Sequence, residues 1–201
     1  MGKTEKSHYE NLYEAAAILN SARDPDEVLH SFVENIAKAL GARACSLMLL
    51  TPDSKSLVHT AAYGLSNWYM RKGPVSADIS ISEALKGRPV AVLNATDDAR
   101  VQYREQAKKE GIASILSVPM MLRDKTIGVV RVYTTKPTQF ILEDIYFVGA
   151  IANLGAIALE NARLYQSLQK DYDTFRQEML EWTAALGSEW MAEKSVVPSD
   201  E

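Results

Sequence analysis

The apolar residues of this chain change their spacing along its length, and the change separates helical from extended segments. Over the first 40 residues they recur every three or four positions, which predicts two amphipathic helices. The first helix is predicted to bury a face formed by Tyr9, Leu12, Ala16 and Leu19. The second begins after Asp24 at Pro25, a residue favoured at the first helical position, and ends before Gly41.

From residue 43 the apolar positions become continuous or alternating, which predicts strands. Five strands are predicted, at Arg43–Thr51, Ser56–Tyr63, Pro89–Leu93, Ser114–Leu122 and Thr126–Tyr133. The stretch between Gly64 and a polar helix at Gln102–Glu110 is irregular, with short helical pieces near Ser66–Met70 and Ser82–Leu85. One long helix begins near Leu142.

This order of elements predicts an α+β fold. An antiparallel sheet carries helices on one face and loops and short helices on the other, and a long C-terminal helix follows. An irregular connection of this length inside a compact domain usually builds a binding site or lid. We therefore expect a ligand site on the sheet face that the irregular segment covers.

Seven segments stand in the order and spacing of a known family. They are Ala44–Leu50, Ala61–Leu65, Leu85–Val90, Asn94–Arg100, Ser114–Met120, Ile127–Tyr133 and Ala158–Tyr165. The set resembles a GAF domain, a PAS-like small-molecule sensory domain, and implies a sensory function. We divide the chain into a flexible N-terminus at 1–8, a GAF domain at 9–170, a coiled-coil-like helical extension at 171–186 and a polar tail at 187–201.

The charge balance argues against two classes of partner. The chain has 22 Lys+Arg and 26 Asp+Glu, a formal net charge of −4, whereas nucleic acids and anionic membranes attract basic surfaces. The longest uncharged run, Ile145–Leu159, has 15 residues, fewer than the roughly 20 that span a bilayer. The first residues are polar and lack a signal-peptide core. We expect a cytoplasmic protein that binds neither nucleic acid nor membrane.

Several cofactors and reactions occur in the family that the chain resembles. Some GAF domains hold a bilin through a cysteine, and free methionine sulfoxide reductases of this fold use several cysteines. The single cysteine, Cys45, lies in an apolar strand, so we expect a buried thiol that supports neither chemistry. His59, in the second strand, is expected to be structural rather than a haem ligand. With no GxSxG or HExxH motif, we expect no enzyme and no metal site, and we assign no cofactor.

Alternation along the last strand defines the candidate pocket. Ile127, Val129, Arg131 and Tyr133 share one face, and Gly128, Val130 and Val132 share the face expected to pack on the helices. The predicted ligand-binding residues are Tyr63, Trp68, Tyr69, Asn94, Asp97, Tyr103, Ser117, Arg131 and Tyr133. Aromatic walls with a few polar groups are typical of small-molecule sites, and Arg131 would meet an anionic or aromatic metabolite. The alternative is a filled core in which Arg131 pairs with Asp97 or Asp98.

The C-terminal helix carries a regular apolar repeat at alternating spacings of three and four. Its first half is explained by packing on the domain's own sheet, whereas the second half extends beyond it. The predicted dimer interface comprises Asn161, Tyr165, Leu168, Tyr172, Phe175, Met179 and Trp182. A polar residue such as Asn161 can set the register of a coiled coil. The alternative is a helix that folds back on the first helix of the same chain.

The combined prediction is a dimeric sensory domain. It binds a small molecule non-covalently and changes the packing of its terminal helices, which a separate downstream signalling protein reads. The alternative is a protein-interaction or dimerisation module whose pocket is vestigial.

Overall fold

The computed structural model describes residue 8 and residues 10–17, 25–77 and 82–194, with side chains described as far as residue 184. The helices are α1 (residues 10–17), α2 (Pro25–Ala39), α3 (Asn67–Met70), α4 (Ser82–Leu85), α5 (Arg104–Glu110) and α6 (Leu142–Lys194). The strands are β1 (Ala44–Leu50), β2 (Ser56–Tyr63), β3 (Val75–Ser76), β4 (Val90–Val92), β5 (Ser114–Leu122) and β6 (Lys125–Thr134). The chain divides into two compact units, Met1–Leu159 and Glu160–Glu201.

The six strands of the described chain form one antiparallel sheet in the order β3-β2-β1-β6-β5-β4. The predicted α+β architecture is therefore confirmed. The sequence analysis did not predict β3, which has two residues and pairs Val75 with Leu57. A segment that short has no periodicity of its own, and only the neighbouring strand defines it.

One face of the sheet packs on α2 and α6. The main apolar cluster joins Leu29, Phe32 and Ile36 of α2 to Phe147 and Ile151 of α6. The sheet contributes Leu47, Leu116, Val118, Val130 and Val132 to the same cluster. Burying each such side chain stabilises the fold by about 1.5–3 kcal/mol, so this layer is the largest apolar contribution that positions the sheet.

The buried face of α1 differs from the predicted one. Ala15 is fully buried and Leu12 packs on the main cluster, whereas Ala16 is exposed. His8, assigned from sequence to a flexible terminus, is buried and stacks on Phe147 with ring centroids 4.5 Å apart. Positions 8, 12 and 15 share a helix face, so the contact of His8 with Phe147 explains why Ala15 is buried instead of the predicted Ala16. The predicted Tyr9 and Leu19 lie outside the described residues.

A bulge changes the predicted alternation near the start of β6. Val130 and Val132 pack on the helices and Val129 faces the opposite side, as expected. Ile127, however, packs with the helix-side cluster. The register shifts between Met120 and Met121, which leaves Ile127 without a partner on β5. An extra residue in one strand reverses the alternation beyond it.

The amino end of α6 is capped by a side chain of its first turn. The backbone N–H of Ile141 donates to Asp144 Oδ2 at 3.1 Å, and Glu143 adds a second acid near the positive end of the helix dipole. A window of α6 within Leu142–Ala184 has a mean hydropathy of 1.5, enough by length and composition to cross a membrane. Of this window 39% is buried within the chain.

Gly64, which ends β2, should be the least replaceable glycine at a left-handed position. Its φ is +76°, and a Cβ there would collide with the backbone oxygen of Arg43. Gly41 has a φ of +57° but open space around it. We expect Gly41→Ala to destabilise the protein by about 1 kcal/mol and Gly64→Ala by about 1–3 kcal/mol more, measured by urea unfolding. Equal losses in the two variants would contradict the close approach at Gly64.

Candidate functional site

The sheet face opposite α2 and α6 carries a row of polar side chains across its three central strands. Arg131 on β6 is paired in register with Ser46 on β1 and with Ser117 on β5. All three side chains are buried, and Arg131 is only 5% exposed. Because residues two apart on a strand share a face, Tyr133 extends the same row toward the end of β6.

Hydrogen bonds hold this row in place. Arg131 Nε donates to Ser117 Oγ at 3.1 Å, and the hydroxyls of Tyr133 and Ser46 lie 3.0 Å apart. Tyr69 of α3 covers the row, with its ring edge-on to Tyr133 at a centroid distance of 6.1 Å. Burial raises the pKa of both phenols, so each keeps its proton at neutral pH and can donate a hydrogen bond.

The structure thus brings together four of the predicted ligand-binding residues: Tyr69, Ser117, Arg131 and Tyr133. Ser46, which the sequence analysis missed, belongs with them. The signal that could have found it is its position as a serine within an apolar strand. The register of β1 against β6 then places Ser46 directly beside Arg131.

The other predicted site residues lie elsewhere. Tyr63 is 37% exposed, Trp68 is 51% exposed, and the partly buried Tyr103 donates its hydroxyl to the carbonyl of Pro74 at 2.9 Å. Asn94 and Asp97 are exposed and hydrogen-bonded to each other at 2.6 Å, so they do not join the buried row.

The two acids of the alternative pairing with Arg131 bind other residues of their own loop. Asp98 binds Arg100 with an N–O distance of 2.6 Å, and Asp97 accepts from Asn94. These acids and amides build the loop between β4 and α5, because short polar side chains readily bond nearby backbone and side-chain groups in turns. The loop is therefore organised by its own residues.

A second group of polar atoms adjoins the row at β2 and the end of α3. Lys72 Nζ lies 2.9 Å from His59 Nε2, 3.2 Å from the carbonyl oxygen of Tyr69 and 3.8 Å from the centroid of the Tyr69 ring. Within the described part of the chain no carboxylate forms an ion pair with Lys72. The sequence analysis singled out His59 as a structural residue but had no signal for Lys72.

Burial controls the protonation of this pair. Burial is the main cause that lowers the pKa of Lys72 to about 8 and that of His59 to about 3. The charge of Lys72 contributes to the His59 shift, and the charge of Arg131 contributes to both. The imidazole is therefore neutral, and Nε2 accepts from Lys72 while Nδ1 carries the proton. His59 Nδ1 is buried and has no hydrogen-bond partner among the described residues.

A surface groove opens beside Lys72. It is lined by Asn67, Trp68, Arg71, Lys72 and Gln106, and its volume is about 460 Å³. Glu110 of α5 binds Ser66, next to the lining residue Asn67, and accepts from its backbone N–H at 2.7 Å and from its hydroxyl. The same hydroxyl caps α3 by accepting from the backbone N–H of Tyr69.

The structure also bears on the predicted cysteine and on metal binding. Cys45 is fully buried in β1, and burial raises the pKa of its thiol. No group of three or more His, Cys, Asp or Glu residues able to hold a metal ion occurs within the described ranges.

The predicted dimer residues occupy the second compact unit. There Asn161 is exposed, and six apolar side chains that follow it at the predicted spacing are 43–68% exposed. They are Tyr165, Leu168, Tyr172, Phe175, Met179 and Trp182. Two other apolar residues of this unit, Leu164 and Leu180, are also exposed.

The charge on Lys72 should leave a signature in the pH dependence of stability. Its pKa is about 8 in the folded chain and 10.5 in the unfolded reference, so the unfolded state binds more protons between these values. Wild type should therefore gain stability relative to Lys72→Met as pH rises from 7.5 to 9.5, measured by urea unfolding at each pH. A constant difference across this range would contradict the lowered pKa.

Comparisons with known proteins identify the family and the fold. The family model for the GAF domain matches residues 22–160. A methyl sulfide methyltransferase-associated sensor from Methanosarcina acetivorans is 27% identical over 161 residues, which are 75% of this chain and 16% of that protein. The chain therefore spans about a sixth of the length of this relative.

Solved structures share the fold. The GAF domain of a phosphoenolpyruvate-protein phosphotransferase from Coxiella burnetii superposes with a TM-score of 0.73 at 19% identity, covering 81% of this chain and 98% of the other. A free methionine-R-sulfoxide reductase from Neisseria meningitidis gives 0.68 at 17% identity, covering 82% and 95%. At this identity the likeness concerns the fold alone. With the family model matching more than half of its residues, the chain belongs to the GAF domain family.

Proposed function

We propose that this chain is a small-molecule sensory domain that binds an anionic ligand on the buried sheet face and signals through its terminal helices. The observation that carries the proposal is the buried row of Arg131, Ser46, Ser117 and Tyr133 on that face, hereafter the arginine row. A guanidinium surrounded by hydroxyls and aromatic rings suits a carboxylate or phosphate attached to a small organic body. The sensor name of the Methanosarcina acetivorans relative supports the sensory part.

Ligand entry requires the cover of the face to move. Arg131 and Tyr133 are almost completely buried, so a ligand reaches them only when α3 and its Tyr69 side chain shift. The cover includes the short helices α3 and α4, because Tyr69 of α3 lies against Tyr133 and Ala84 of α4 packs with Val129. Short elements with few backbone hydrogen bonds open more readily than the sheet beneath them.

Signalling would use a second copy of the chain. In the unit Glu160–Glu201 the exposed apolar residues are spaced for the seam of a parallel two-stranded coiled coil. Leaving a large apolar side chain in water forgoes about 1.5–3 kcal/mol relative to burial, so several in one stripe favour association. A ligand that changes the packing of this seam by 1–3 kcal/mol would alter a downstream partner's binding, within the usual allosteric range.

One observation favours the second candidate, a protein-interaction module with a vestigial pocket. Tyr69 and Tyr133 are fully buried and fill much of the face that a ligand would need. In that function the face only stabilises the fold, and the C-terminal stripe is the working surface. The two candidates differ in whether a small molecule stabilises the protein.

The ligand proposal is tested by a thermal-shift screen of nucleotides, amino acids and organic acids, followed by titration of the best compound. Arg131→Lys should weaken its binding about 10- to 100-fold, because lysine keeps the charge but lacks the planar guanidinium fork, and a hydrogen bond to a charged group contributes about 1.5–3 kcal/mol. Arg100→Ala is the matched control, since Arg100 is an exposed loop arginine. Equal affinity in wild type and Arg131→Lys would contradict the role of Arg131, and the absence of any stabilising compound would favour the second candidate.

The association proposal is tested by sedimentation velocity at micromolar concentration. Wild type should sediment as a dimer, and Phe175→Asp with Tyr172→Asp should give monomers because charges are then placed in the apolar seam. Gln166→Asp, an exposed polar position outside the seam, should remain a dimer. A monomeric wild type would refute the shared seam.

A further inference from the structure

The groove beside α3 has a primary amine in its wall. Lys72 is one of the five residues that line it, and its Nζ is packed against the Tyr69 ring on one side and His59 Nε2 on the other. Lysines usually extend into solvent as hydrated cations. Here the side chain is only partly exposed and its head group is held at a defined position.

Every neighbouring element bears on the charge of this amine. Arg131 on β6 and burial disfavour the ammonium form, and Glu110 on α5 favours it. His59 on β2 is neutral, and the rings of Tyr69 and Tyr103 lie 3.8 Å and 5.8 Å from Nζ. With a pKa of about 8, roughly a tenth of Lys72 is unprotonated at pH 7, compared with fewer than one in a thousand exposed lysines.

A neutral amine at a fixed position in an accessible groove has a characteristic chemistry. Lysines desolvated next to another cation act as nucleophiles toward carbonyl compounds. We propose that Lys72 is a carbonyl-reactive residue that forms an imine with a small aldehyde entering the groove. Nζ bonds to the carbonyl carbon, the C–O bond breaks, and the carbonyl oxygen leaves as water with the two amine protons.

His59 has a positioning role in this step. Its Nε2 accepts from Lys72 at 2.9 Å, which holds Nζ at a defined position. The proton that the ammonium releases goes to solvent, because a pKa of about 3 makes the imidazole a much weaker base than the amine. The imidazole stays in place because β2 is a strand of the sheet. The reaction requires no metal or oxidant.

The groove also indicates the class of aldehyde. Trp68 presents a half-exposed indole, and Lys109 Nζ lies 5.8 Å from the centroid of its ring. Arg71 adds a second cation to the lining. A planar ring that stacks on Trp68, with an anionic substituent facing Arg71 and Lys109, fits these surroundings. This inference goes beyond the proposed function, because it requires neither a ligand bound at the arginine row nor a dimer.

Pyridoxal 5′-phosphate is a suitable probe because it combines an aldehyde, a planar ring and an anion. The folded chain is incubated with less than one equivalent at pH 7.5, imine absorbance is followed, and borohydride then fixes the adducts for peptide mapping by mass spectrometry. Mapping separates Lys72 from the terminal amine and from exposed lysines such as Lys108. We expect Lys72 to be modified at least tenfold faster than Lys108.

Two controls connect this preference to the fold. In urea well above the midpoint of the protein's own unfolding curve, where the chain is unfolded, Lys72 should lose its advantage over Lys108. In the folded chain Lys72→Arg should abolish the fast phase of imine formation, whereas Lys108→Arg should keep it. Modification of Lys72 no faster than Lys108 in the folded wild type, or a fast phase that survives Lys72→Arg, would overturn the proposal.

Discussion

The two-sided burial of β6 is the constraint on which the rest of this structure depends. Val130 and Val132 pack into the layer formed with α2 and α6, and the alternation of the strand then turns Arg131 and Tyr133 to the opposite side. A charged side chain in that position is costly unless polar groups surround it. Two hydrogen bonds meet that requirement. Ser117 accepts from the guanidinium, and the hydroxyls of Tyr133 and Ser46 pair along the same row. The helical layer thus determines which residues face the cover, although it touches none of them.

The cover of that face joins two polar regions with different chemistry. Beneath it, the arginine row is enclosed by aromatic rings and serine hydroxyls. At its margin, Lys72 links α3 to His59 on β2 and reaches the surface groove. Arg131 affects both regions, because its charge lowers the pKa of Lys72 and His59. A ligand that neutralised Arg131 would therefore change the protonation of the lysine as well.

One repeat of apolar residues runs along the long helix α6, but its residues are buried in the first part and exposed in the second. Up to Leu159 its apolar residues complete the core of the first unit, which accounts for Phe147 and Ile151. From Glu160 onward the same spacing of apolar residues continues, but their side chains are exposed.

Patterns along the chain were enough to predict the order and type of nearly all elements, the antiparallel class of the sheet and the split between the two faces of β6. These depend on local periodicity, which neighbours in the chain largely decide. The sequence also indicated Arg131, Tyr133, Tyr69 and Ser117, because alternation and an irregular cover are visible in the pattern. Only the tertiary structure decided the buried face of α1, the bulge at Ile127, the separation of Asn94 and Asp97 from the arginine row and the contact of Lys72 with His59. The physical reason is that each of these depends on residues distant in sequence, as in the hydroxyl contact between Ser46 and Tyr133, 87 positions apart.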